Sequence, residues 1–265
     1  MGRSLLSLHA GLVYAFLYAP IAIVVAYAFN GGRQTLNWEG FSTKWFSAAL
    51  HDDSITSALR NSLLIAAGNA LVACVLGTLL ALSLPGMWRA IRVPIDALVT
   101  MTLVTPEIVF GIAALVFFTE AGVTLGLKTV LAAHVVFNAS VVALVVRARF
   151  VGMGQDFEEA SFDLGAGPLS TFRQVTLPRL APAILAGGLL AFTFSFDDFY
   201  TSFFVSGAGT TTLPLYVFSS LRFGVSPVVN ATAAMVLGLT IGAVVLAYVV
   251  LRRSGGRSGG VLPLR

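Results

Sequence analysis

The sequence predicts an all-α integral membrane protein. Three observations carry the prediction: 57% of the 265 residues are hydrophobic, only 11% are charged, and the apolar residues gather in long runs. A soluble domain carries roughly 25% charged residues and needs polar faces that this chain lacks. The mean hydropathy of +0.89 points the same way. The net charge of +4 comes from bases spread between the apolar runs, so orientation in a bilayer explains it better than a nucleic-acid surface.

A helix needs about 20 apolar residues to cross the hydrocarbon core. Six segments qualify, about 8–29, 61–84, 95–119, 129–146, 183–204 and 228–251. Each is too long for a strand and lacks period-two alternation. Together they make one transmembrane domain over 1–265. Ala26-Tyr27-Ala28 looks like a signal-peptidase site. The apolar core before it exceeds the roughly 7–15 residues of a cleavable signal, so a retained helix with a kink at Pro20 is expected.

Lys and Arg set the direction. With the N-terminus cytoplasmic, the inner segments hold Arg3, Arg89, Arg92, Arg147, Arg149, Arg173, Arg179, Arg252, Arg253, Arg257 and Arg265. The outer ones hold only Arg33, Lys44, Arg60, Lys128 and Arg222, so both termini are expected inside. The Gly/Ser/Arg tail after Leu251 reads as a flexible solvated end. The outer segment 30–60 carries Trp38, Trp45 and Phe46, which suit an interfacial helix. Gly238 and Gly242 have the small-xxx-small spacing that permits close helix packing. Cys74 reads as a small buried hydrophobe. His9, His51 and His134 are scattered and read as loop or interface residues, with no metal site expected.

One charged stretch, from Glu159 to Pro182, interrupts the apolar pattern on the inner side. Asp156 and Glu159 form a D-x-x-E capping arrangement, so a short helix is expected to about Leu164. Gly165 and Gly167 can turn the chain, and Pro168 suits the first turn of a second helix, Leu169 to Leu177. Pro178 and Pro182 should break the path before the fifth span. Phe157, Ala160, Phe162 and Leu164 give the first helix partial apolar character. The residues alone leave two readings open, a docking knob for another protein or a helix pair lying on headgroups.

The same stretch resembles the signature loop of permease subunits of ABC importers. That pattern is Glu-Ala-Ala, three residues, Gly, nine residues, Ile, any residue, Leu-Pro. Here it reads Glu159-Ala160-Ser161, Gly165 and Val175-Thr176-Leu177-Pro178, with the spacing kept and two small replacements. The resemblance implies the type I (binding-protein-dependent) importer permease fold, six spans with a coupling loop at about 150–181. It implies that Glu159, Ala160, Ser161, Gly165, Ala166, Val175, Leu177 and Pro178 meet a separate ATPase subunit. It implies as partners two ATP-binding subunits, a second homologous permease chain and an extracytoplasmic binding protein, in a bacterial inner membrane. ATP and Mg would sit on the ATPase, with no cofactor in this chain. The sequence holds no G-x-x-x-x-G-K-[ST] phosphate loop, and no catalytic constellation points to an enzyme.

Acids within the spans are the remaining signal. Glu107 lies in the third span, Asp197 and Asp198 in the fifth. An ionised acid at mid-membrane costs about 2.5–3.5 kcal/mol on insertion scales, so it faces a partner, a cavity or a path. On a continuous helix Asp197 shares a face with Phe194, Tyr200 and Thr201, and carboxylates beside rings suit a cation. The bland readings are an ion pair with Arg222 or Arg60, or a hydrogen bond to a neighbouring helix. Asp96, near a span end, is given no role.

The stretch Ser195 to Gly207, Pro106-Glu107-Ile108, Leu213-Pro214-Leu215, Gly224-Val225-Ser226-Pro227 and Asn230-Ala231 resembles spermidine/putrescine importer permeases of the C type. Tyr200 and Thr201 stand where those often carry aliphatic residues. That resemblance implies transport of a small cation, a polyamine, although relatives of this type also move opines, thiamine, phosphonates or ferric iron. The rival from another class is an ion-gradient-driven carrier, which has no need of the Glu159–Pro178 loop.

Overall fold

The computed structural model describes residues 2–33, 37–154, 156–222, 224 and 226–255, with side chains from residue 5 to 242. The side chains of Arg3, Arg252 and Arg253, together with Arg257 and Arg265, lie outside that set, as do Val225 and the tail beyond 255. The chain divides into two compact units, 1–56 with 217–265, and 57–216.

The first unit holds α1 (Gly2–Ala28), α2 (Lys44–Leu50) and α12 (Pro227–Gly255). Both α1 and α2 pack on α12. Pro20 lies inside α1, which stays one helix. Buried Asn30 organises the turn that follows: its Oδ1 accepts from Glu39 N at 2.8 Å, and its carbonyl accepts from Trp45 Nε1 at 2.8 Å. Phe29 stacks on Phe41 and leans on Phe46, which seats the short helix expected in 30–60.

The second unit holds α3 (Asp53–Ser83, continuing from the first unit's chain), a 3₁₀ turn at Leu84–Gly86, α4 (Arg89–Val104), α5 (Glu107–Glu120) and α6 (Leu127–Val151). Then come α7 (Asp156–Asp163), α8 (Pro168–Thr171), α9 (Leu177–Asp197), α10 (Tyr200–Val205) and the start of α11 (Leu213–Leu221), which passes into the first unit after Tyr216. Its centre is α6, against which α9, α10 and α4 pack. Glycines make that packing close. A Cβ on Gly77 of α3 would lie 2.6 Å from Val142 Cβ and 2.7 Å from Ala139 O on α6. A Cβ on Gly187 of α9 would lie 3.3 Å from Cγ1 of the same Val142. Small residues are the usual means of bringing membrane helices together, because lipid tails are as apolar as leucine. A Cβ on Gly238 or Gly242, whose spacing suggested this role, would meet nothing within 4 Å among the described residues.

Gly77→Ala is therefore expected to lower the melting temperature of the purified protein, since overpacking a tight core costs about 1–3 kcal/mol. Gly238→Ala, into open space, is expected to leave it unchanged or slightly raised. Thermal unfolding in detergent compares the two.

Two expected spans are not continuous. Residues 95–119 form two helices, α4 and α5, bent by 115° at the break. Pro106 has no N–H, and it pushes Thr105 out of helical geometry to ψ 128°. The fifth span, expected over 183–204, stops at Asp197 and resumes as α10, with Asp198 extended at ψ 118°. The expected break at Pro178 and Pro182 does not form. α8 runs into α9 through a wide π turn, Phe172–Thr176, with Pro178 in the first turn of α9 and Pro182 inside it. The wide turn opens the backbone just ahead of the residue that cannot donate to it.

Among the described residues, four helices are long and apolar enough to cross a membrane, and the bent α4–α5 pair is a fifth. The apolar stretch described in α12, Pro227–Gly242, is shorter. No named strand forms among the described residues; Asn30 and Phe41 make an isolated bridge.

Candidate functional site

Both helix breaks of the second unit meet at one small cavity. Glu107 opens α5 directly after Pro106, where unpaired amide N–H groups and the helix dipole favour an acid. Asp198 closes α9. Its Oδ1 accepts from Thr201 N at 3.2 Å and its Oδ2 from Ser202 N at 2.9 Å, so its carboxylate caps α10. The cavity has about 20 Å³ of free space, room for one water-sized group. Glu107, Asp198 and Thr201 line it on one side, with His134 and Asn138 from α6. Phe110, Phe137 and Phe194 form the apolar wall. Phe137 meets Phe110 and Phe194 edge-on, with centroids 6.2 and 6.4 Å apart.

Of the acids and aromatic residues named from sequence, Glu107, Asp198, Phe194 and Thr201 thus come together. Asp197 and Tyr200 are exposed and do not line the cavity, because the break at Asp198 cancels the helical spacing that linked them to Phe194. Asp198 is not tied to Arg60; its partner is His134, with Nε2 2.8 Å from Oδ2.

His134 corrects the expectation of a loop or interface residue. It is 3% exposed inside α6. Its Nδ1 lies 2.7 Å from Ser195 Oγ and its Nε2 3.3 Å from Ser202 Oγ. With Nε2 donating to the carboxylate, Nδ1 is left to accept a hydrogen bond from the Ser195 hydroxyl. The order hydroxyl, imidazole, carboxylate resembles a nucleophile relay, but Ser195 is buried in the α6–α9 packing and the chain serves as a brace. A lone signal was present in the sequence: His134 and Asn138 stand four residues apart in an otherwise apolar run, on one helix face. Asp96 also gains a partner: Arg147 of α6 bonds to its Oδ1, and Arg92 lies 3.4 Å from its Oδ2.

The second candidate region is the loop from α7 to α9. α7 runs Asp156–Asp163, and Gly165 turns the chain at φ +85°, a conformation open to glycine and costly elsewhere. Pro168 starts α8 as expected. Glu159, Ala160, Gly165, Leu177 and Pro178 are exposed, while Ser161, Ala166 and Val175 are half-buried. Ser161 Oγ bonds Thr171 Oγ1 at 3.0 Å, and Thr176 Oγ1 donates to Glu158 at 2.5 Å. Arg179 lies over the Phe157 ring at 3.6 Å. These contacts brace an otherwise exposed hairpin whose tip, Leu164, is 90% exposed.

The profile of the family described as binding-protein-dependent transport system inner membrane component matches residues 73–255. The chain belongs to that family. It is a multi-pass membrane protein and a permease subunit of an ABC importer; hydrolysis of ATP belongs to a separate subunit of such importers. The putrescine transport system permease protein PotI of Escherichia coli (strain K12) is 42% identical over 235 residues, 86% of this chain and 83% of that one. The spermidine/putrescine transport system permease protein PotC of the same strain is 35% identical over 262 residues, 98% of this chain and 99% of that one. In fold, the chain resembles one from the bacterial alginate ABC transporter solved with an alginate pentasaccharide-bound periplasmic protein. That match has a TM-score of 0.70 at 15% identity and covers 97% of this chain and 96% of the other. A chain of the inward-facing MetNI methionine ABC transporter matches with a TM-score of 0.59 at 18% identity, over 77% and 98% of the two chains.

Proposed function

We propose that this permease passes a small organic cation, a polyamine, across a bacterial inner membrane by alternating access. The observation that carries the reading is Glu107. Its carboxylate has no hydrogen-bond or ion-pair partner among the described residues, and it faces a cavity walled by three phenylalanines. A free carboxylate attracts an ammonium, and ring faces add about 0.5–2 kcal/mol through cation–π contact. The cavity's 20 Å³ suits one ammonium head and not a whole polyamine, so the rest of the solute would lie in a path beyond it. The names of the two relatives from Escherichia coli support the same class. An anion such as a phosphonate fits poorly beside two acids.

In this reading the chain pairs with a second permease subunit, the complex carries two ATPase subunits, and one of them receives this chain's loop around Glu159, Ala160, Ser161, Gly165 and Ala166. Val175, Leu177 and Pro178 complete the ATPase contact at the end of the loop. An extracytoplasmic binding protein delivers the solute, both termini are cytoplasmic, and ATP and Mg stay on the ATPases. The positive excess of the inner segments and the exposed hairpin support this arrangement.

The test is uptake of labelled putrescine into right-side-out vesicles carrying the whole complex, with ATP supplied in the lumen and the binding protein outside. Accumulation is expected only with ATP and the binding protein, and excess spermidine is expected to compete while phosphonate does not. Uptake driven by an ion gradient without ATP would favour the carrier reading instead.

A further inference from the structure

We propose that His134 is a positioning residue for transport: its ring holds the Asp198 carboxylate across the α9–α10 break and so fixes one wall of the Glu107 cavity. The inference rests on the transport reading above.

Asp198 and Phe199 alone join α9 to α10. Asp198 bonds to the first amides of α10, so by itself its carboxylate would follow α10 wherever that short helix went. His134 comes from a different element, α6, and contacts both sides of the break. Nδ1 reaches Ser195 on α9 at 2.7 Å. Nε2 reaches Asp198 at 2.8 Å and Ser202 on α10 at 3.3 Å. One ring therefore ties the end of one helix to the start of the next. Asn138, one turn further along α6, donates Nδ2 to the His134 carbonyl at 3.0 Å, and both residues line the cavity.

Packing alone does not call for an imidazole at this position. An apolar side chain would fill buried space without polar groups to satisfy, whereas an unpaired buried donor or acceptor costs about 1–3 kcal/mol. Here both ring nitrogens are satisfied, and each bond goes to a residue at the break. Oδ2 of Asp198 is occupied by His134 and Ser202. Among the described residues Oδ1 accepts a bond from Thr201 N, which leaves lone-pair capacity for a donor in the cavity. Without His134 that carboxylate could swing, and the acid facing the solute would lose its fixed direction.

The experiment measures putrescine uptake by the intact complex, with KM and Vmax separated. His134→Ala is expected to raise KM about tenfold and to change Vmax by less than about threefold. His134→Gln, which keeps a donor, is expected to recover most of the KM. Ser195→Ala, a smaller change that releases Nδ1, is expected to raise KM in the same direction and carries the test if His134→Ala fails to reach the membrane. The double variant His134→Ala/Asp198→Asn is expected to be little worse than the worse single variant, because His134 acts through Asp198. A fall in Vmax and membrane abundance with unchanged KM, or fully additive effects, would overturn the proposal. If the wild-type complex does not take up putrescine, the substrate reading fails, and the same cycle is run with the solute that its binding protein does deliver.

Discussion

Leu164→Asp is expected to abolish ATP-driven uptake while the chain still reaches the membrane. Leu164 is 90% exposed, so its replacement removes nothing from the fold. Burying a leucine at an interface is worth about 1.5–3 kcal/mol, and seating a carboxylate in its place adds a desolvation penalty. Affinity for the ATPase subunit should fall about tenfold or more. The ATPase should then no longer copurify, and uptake should fall with it. Gly165→Val is expected to act the same way for a different reason, since φ +85° is strained for a β-branched residue and the tip would be displaced. Full uptake and normal copurification in both variants would remove the hairpin as the coupling element. It would leave the rival picture of a helix pair resting on headgroups.

The second large effect is expected at Glu107. Glu107→Gln keeps size and hydrogen-bonding capacity but removes the charge that the cation reading requires. The KM for putrescine is expected to rise about ten- to a hundredfold, as befits the loss of a charge from a partly desolvated site. Asp197→Asn provides the contrast. Asp197 is exposed and off the cavity, so its neutralisation is expected to change uptake by less than about twofold. Asp198→Asn falls between, because it disturbs both the cavity and the cap of α10. Equal effects at Asp197 and Glu107 would show that general surface charge, rather than a defined site, attracts the solute.

The loop was the most legible part of the sequence. Its short acidic helix, its glycine turn and Pro168 are local signals, and α7, the φ of Gly165 and the start of α8 follow them, whereas Asp156 opens α7 as its first residue. The long apolar helices were legible too, because hydropathy alone decides whether a segment tolerates lipid. The breaks were not, since hydropathy is blind to backbone direction. Pro106 carried a local warning, as the residue before a proline avoids helical geometry. Nothing comparable marks Asp198, where a carboxylate cap turns the chain. The converse error came at Pro178 and Pro182, which read as breakers but follow a π turn that accommodates them. His134 was missed because its partners stand 61 and 64 residues away in sequence.

The double seat of Val142 limits how this half of the molecule can deform. With Gly77 on one flank and Gly187 on the other, a side chain added at either position would press α3 or α9 away from α6. If a partner pushes on the hairpin, α9, which is continuous with it, would carry that push toward the two interruptions of regular backbone, where Glu107 and Asp198 stand.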